Sequence, residues 1–136
     1  MAANTVNSIG ENALIDSILD GSVTEIVDDR VTRIGEYALS ARKSLVKADF
    51  PNVTSIGKYA FSSCTAFTTL ILRSTTMVTL DLEYIFMGAP DVTVGVYVPS
   101  ALVNTYKADS KWKTVLANDN PVTKIYAIES YPNICG

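Results

Sequence analysis

The chain has 136 residues, 14 acidic against 11 basic side chains, a net charge of −3 and 48% apolar residues. That length suits one domain with a modest core, and the balance excludes both a disordered polyelectrolyte and a binder that works by neutralising phosphates. There is no histidine, which removes Ser-His-Asp and Cys-His catalysis and the commonest metal ligand together. No apolar run approaches the ~18–20 residues needed to cross a bilayer, so membrane insertion is not expected. The first eight residues, Met1 to Ser8, lack a basic stretch followed by an apolar one, and no signal peptide is expected there.

An internal repeat organises the chain. Val6-Asn-Ser-Ile9-Gly10 is echoed by Val31-Thr-Arg-Ile34-Gly35-Glu-Tyr37-Ala38-Leu39-Ser40 and again by Val53-Thr-Ser-Ile56-Gly57-Lys-Tyr59-Ala60-Phe61-Ser62. A degenerate copy runs from Val78-Thr-Leu80 to Tyr84-Ile85-Phe86, with Asp81 in place of the glycine. The two apolar anchors of each copy point inward, and the glycine is expected where the backbone turns tightly or takes a positive φ. Tyr-Ala-Phe is expected to form a short helical turn. Extended segments come next, Leu45–Phe50 and Phe67–Leu72, in which Leu45/Phe67, Ala48/Leu70 and Phe50/Leu72 align and face the core. A unit this small cannot bury its own apolar face, so the copies are expected to stack, with their strands side by side.

These residues resemble the BspA-type leucine-rich repeat, Val-x-x-Ile-Gly-x-x-Ala-Phe-x-x-Cys-x-x-Leu-x-x-(Val/Leu)-x-Leu-Pro. Val53, Ile56, Gly57, Ala60, Phe61, Cys64, Leu70 and Leu72 fall on the pattern, while Phe67 replaces a Leu and Arg73 the Pro. In the preceding copy Leu39 replaces the Phe and Arg42 takes the Cys position. The resemblance implies a short α+β solenoid of about four units, near 6–30, 31–52, 53–77 and 78–99. It implies adhesion or protein recognition, without catalysis.

Thr93–Pro99 reads as a last full strand. Ser100 is the expected N-cap of a helix whose apolar face holds Leu102, Val103 and Tyr106, continued by Trp112, Val115 and Leu116. Asn118–Pro121 is a turn, Lys124–Glu129 a final strand and Tyr131–Ile134 a tail. Residues 100–136 thus read as a helix-strand cap belonging to the same domain as the repeats of 1–99. The order Tyr97-Val-Pro99 … Tyr106 … Trp112 … Ile125-Tyr-Ala-Ile128-Glu129 also resembles the end of leucine-rich proteins encoded by phages and prophages. That resemblance implies a virion appendage (tail, baseplate or capsid-associated) contacting host surface, neighbouring virion subunits or further copies of itself in a homo-oligomer. The alternative is a bacterial cell-surface or secreted adhesin for host protein or glycan.

Little chemistry stands out. Cys64 and Cys135 are 71 residues apart and form no disulfide framework. Cys64 reads as a small buried hydrophobe and Cys135 as exposed. Asp28-Asp29 reads as a solvated turn, and the remaining carboxylates are too dispersed for a calcium loop. No phosphate-binding glycine loop occurs. Lys107, Lys111 and Lys113 around Trp112 read as a solvated helix face, not as a nucleic-acid site. No catalytic, cofactor or metal residue is assigned. The candidate binding face follows from strand alternation. If the core positions point inward, Thr24, Val46, Thr68 and Thr93 form one outward row, Glu25, Lys47 and Thr69 a second, and Val27, Asp49, Ile71 and, allowing a one-residue insertion, Tyr97 a third. The candidate residues are Val46, Lys47, Asp49, Thr69, Ile71 and Tyr97. Val46, Ile71 and Tyr97 are read either as a binding patch or as ordinary exposed strand formers. Changing Ile71 and Tyr97 to Ser is expected to spare folding and abolish binding.

Overall fold

A computed structural model of the chain describes residues 8–9, 24–29, 31–81, 85–87, 94–118 and 123–136. Each repeat contributes one strand to each of two parallel sheets. The first sheet orders β1 (Ser8–Ile9), β3 (Arg33–Ile34), β5 (Ser55–Ile56) and β7 (Thr79–Leu80). The second orders β2 (Glu25–Val27), β4 (Lys47–Phe50), β6 (Thr69–Leu72), β8 (Val94–Val98) and β9 (Thr123–Ala127). Ile9, Ile34, Ile56 and Leu80 lie in one register line of the first sheet, as the repeat alignment requires. Across the second sheet the inward line is Ile26, Ala48, Leu70, Val96 and Ile125. The core lies between the sheets, filled by Ile34, Ile56 and Leu80 from the first, by the inward line of the second, and by Phe50, Phe61, Phe67 and Phe86. Phe61 and Phe67 stack with ring centroids 4.8 Å apart, and Phe86 lies 5.7 and 5.9 Å from them.

The connections after β3 and β5 depart from the expected helical turn. Tyr37 and Tyr59 both take φ 58°, and Ala41 and Ser63 take 62° and 59°. The reason lies in the hydrogen bonds. The Tyr37, Leu39 and Ala41 N–H groups donate to Lys58, Ala60 and Ser62 carbonyls of the next repeat (3.1, 2.9 and 2.8 Å), while Ala38 and Ser40 close local turns onto Gly35 and Tyr37. Phe61 and Ser63 likewise donate to Ile85 and Met87, both at 2.9 Å. A helical turn would direct these donors along its own axis and leave the neighbouring repeat untied. Left-handed residues four positions apart, with local turns between them, turn every second N–H sideways, at roughly 1–2 kcal/mol for each non-glycine residue so held.

The glycine is explained by contact and not by φ. Gly57 has no positive φ, but a Cβ there would stand 2.6 Å from the Glu36 amide nitrogen and 2.7 Å from the Gly35 carbonyl carbon. Successive repeats approach through bare backbone at this point. Cys64, buried as expected, donates its thiol proton to the Leu39 carbonyl one repeat earlier (2.9 Å). Desolvation pushes its pKa up from 9.0 to about 11.

The segment after β8 carries a 3-10 turn (Ser100–Leu102) and helices α1 (Val103–Ala108) and α2 (Ser110–Asn118). Ser100 does not cap with its side chain. Its N–H and hydroxyl instead donate to the Glu129 carboxylate at 2.9 and 3.3 Å. A bond from Glu129's own N–H, joined by those from Ser100, holds that carboxyl below its ordinary pKa. Tyr106 and Trp112 are fully buried and meet edge-on at 5.2 Å. Both backbone groups of Val78 are satisfied by them, its N–H by the Tyr106 hydroxyl (2.8 Å) and its carbonyl by Trp112 Nε1 (2.7 Å). Desolvation pushes the Tyr106 phenol up from 10.0 to about 12.

In urea unfolding, Gly57→Ala lowers stability by about 1–3 kcal/mol through the backbone clash. Ala41→Gly, at an exposed left-handed position, raises it by about 0.5–1 kcal/mol as relieved strain exceeds lost chain entropy. A second expected outcome concerns alkaline pH. Cys64 and Tyr106 keep their protons longer folded than unfolded, so the native chain binds more protons across the window from pH 9 to 12. Their contribution is complete below pH 9 and is lost as pH rises through that window. Melting temperature therefore falls from pH 9 upward, and Cys64→Ala makes the earlier part of the fall shallower.

Candidate functional site

The outward rows of the five-stranded sheet form largely as alternation requires. Glu25, Lys47, Thr69, Gly95 and Lys124 share one line, and Val27, Asp49, Ile71, Tyr97 and Tyr126 the next. Thr93 lies outside the described residues. The pairing of Thr69 with Gly95 puts Val94, one place earlier, beside Thr68.

Accessibility is where expectation and structure part. Ile71 is 0% exposed, Tyr97 7% and Asp49 7%. After β9 the chain makes a 3-10 turn (Ile128–Ser130) and a short helix, α3 (Pro132–Cys135), that folds back over this row. Ile71, Tyr97 and Cys135 pack together, with Tyr126, Ile128 and Ile134 around them. Ile71 and Tyr97 are therefore not a solvent-facing pair, and replacing both with Ser empties a small second core and costs stability. Cys135, read from sequence as exposed, is buried at 6%, and desolvation pushes its thiol pKa up.

Two cations hold the tail by its main chain. The Arg73 guanidinium forks onto Asp49, with Nε 3.0 Å from Oδ1 and Nη2 2.9 Å from Oδ2, and also donates to the Cys135 carbonyl. The hydrogen bond to Asp49, followed by its charge, raises the Arg73 pKa further. Lys47 Nζ donates to the Ile134 carbonyl at 2.6 Å. Its ammonium thus goes to the tail, although Glu25 is its lateral strand neighbour as expected. An aromatic group closes the far end. Tyr97 and Tyr126 stack at 5.2 Å, and Tyr131 meets both edge-on at 5.4 and 5.2 Å. Gly95 makes the room, since a Cβ there would lie 2.9 Å from Tyr97 Cε1.

Of the six candidate residues, Lys47, Asp49, Ile71 and Tyr97 thus serve the tail, while Val46 (36% exposed) and half-buried Thr69 remain open. Val27, at 70%, extends the open part. Sequence reading missed Arg73 as the organiser. Its one signal was a charged residue standing where the repeat pattern has proline. Lys111 was likewise read as solvated, but its ammonium bonds the Leu80 and Asp81 carbonyls at 3.1 and 2.9 Å. Among the described residues no three metal-binding side chains gather, and no helix is long and apolar enough to cross a membrane.

Comparison with known families agrees with this architecture. The family described as BspA type leucine rich repeat region (6 copies) matches residues 7–93, more than half of the chain. The chain belongs to that leucine-rich-repeat family. Neither the curated proteins nor the solved structures gave a match.

Removing the clamp gives a direct readout. Arg73→Ala leaves Asp49 without its partner and lowers stability by about 1–3 kcal/mol. It also speeds alkylation of Cys135 by iodoacetamide at least tenfold, while Cys64 stays protected.

Proposed function

We propose that this protein is a non-catalytic interaction module, a short repeat solenoid whose outward rows meet a partner and whose residues 100–136 cap one end. The observation that carries the reading is the open part of the five-stranded face. Glu25 and Thr69 flank Lys47 in lateral register, at the ~4.8 Å spacing of neighbouring strands, with the Lys47 ammonium turned to the tail. Exposed Val27 and Val46 lie alongside them. Exposed apolar groups set beside a polar row suit a protein partner, since such contact surfaces combine apolar and hydrogen-bonding groups. The capping role is supported by Tyr106 and Trp112, which satisfy the last repeat's backbone at Val78 and bury their rings against it.

The setting we favour is a phage or prophage virion, as a tail, baseplate or capsid-associated chain meeting host surface or a neighbouring subunit. Its support is the resemblance of the segment from Tyr97 to Pro132 to the terminal modules of such proteins. Immunogold microscopy of an induced culture tests the setting. Gold on particles is the expected result, whereas gold on cell walls with bare particles would assign the chain to a bacterial surface adhesin. The face is tested separately, because Val27 and Val46 take no part in the core. Changing both to Asp leaves the melting temperature within about 2 °C, as exposed substitutions within about 0.5 kcal/mol do. Binding of the chain to particles from the same induced culture falls at least tenfold.

A further inference from the structure

The opposite sheet carries a feature that the interaction reading does not use. Each of β3, β5 and β7 has one inward residue, Ile34, Ile56 or Leu80, and one outward residue, Arg33, Ser55 or Thr79. The next position is Gly35, Gly57 and then Asp81, and at Gly57 the close approach to the preceding repeat forbids any side chain. The surface there is consequently a shelf of bare backbone, walled on one side by the outward strand residues and on the other by Glu36. At the last repeat Asp81 replaces the glycine, and Lys111 from α2 reaches across to the Leu80 and Asp81 carbonyls. These two residues close one end. The result is a half-open trough of about 480 Å³, within the ~300–1,000 Å³ of clefts that hold small ligands.

We propose that this trough is a binding site for a short, uncharged oligosaccharide. The lining decides the class of ligand. Arg33 and Lys111 supply donors, Glu36 and Asp81 supply acceptors, and Ser55 and Thr79 supply hydroxyls that do either. A phosphate or sulfate ester would meet two carboxylates. A cationic ligand would meet Arg33 and Lys111, with Lys58 on the rim 3.8 Å from Glu36. An apolar ligand would take the charged groups of the lining out of water without offering them a hydrogen bond. Sugar hydroxyls both donate and accept, so they can use the whole lining. The flat glycine floor admits a ring close to the backbone. Tyr37 and Tyr59, which come directly after Glu36 and Lys58, stack at 5.0 Å, and Tyr37 is 43% exposed.

The test uses the full chain on an array of neutral, sulfated and phosphorylated glycans. Glu36→Ala with Asp81→Ala removes the acceptors from exposed positions, and Ser55→Trp fills the trough by a different route. The expected result is retention of neutral oligosaccharides that falls at least tenfold in both variants, with melting temperature unchanged in the double-alanine chain. Three outcomes overturn the proposal: no glycan retained, retention that neither variant alters, or preference for the sulfated or phosphorylated members. None of these bears on the interaction reading, which is tested through Val27 and Val46 on the other sheet.

Discussion

Sideways hydrogen bonding of the backbone, from every repeat to the next, is the constraint on which the rest of this structure depends. It operates at the strands of both sheets and also in the turns between them, where alternate N–H groups cross to the neighbouring copy. Once each residue must lie beside its counterpart, side chains in a column must be compatible with their own kind at strand spacing. Isoleucine beside isoleucine satisfies this inside, and threonine, lysine and glutamate satisfy it outside. The same requirement forces glycine at the point where two backbones nearly touch, and it holds tyrosine and alanine in a left-handed conformation that an isolated chain would avoid.

The two sheets end differently, and the ending shapes the surfaces. The four-stranded sheet stops at β7, where Lys111, Tyr106 and Trp112 take up backbone groups that a further repeat could have used. The five-stranded sheet continues through β8 and β9 before the chain turns back over its outer side. One face is thus left as an open polar shelf and the other is partly roofed. Both arise from one stretch of chain, the C-terminal segment that finishes the core and covers the apolar row built by Ile71 and Tyr97.

How much of this could be read from the amino acids depends on where the determining atoms lie. The inward columns were legible because Ile34 and Ile56, or Ala48 and Leu70, recur at the repeat spacing, and side-chain period is what sequence records. The pairing of Val27, Asp49, Ile71 and Tyr97 followed from the same alternation. The turn conformation was hidden because tyrosine is not a residue type associated with positive φ. The roof over Ile71 was hidden for a different reason. Lys47 and Arg73 grip carbonyl oxygens of Ile134 and Cys135, and a carbonyl is present at every position, so no residue type in the tail advertises the contact. Only Arg73, in place of the usual proline, marked the site.

That manner of attachment has a mechanical side. Strands within a sheet are joined by a ladder of parallel bonds, whereas the tail is fastened by a few separate links to Lys47 and Arg73 above an apolar bed. Tension applied at Gly136 loads those links one after another, as in peeling, before it reaches β9. The molecule therefore has a weak outer layer over a strong interior. Pulled from this end it yields first by baring Ile71 and Tyr97, with its repeats still intact.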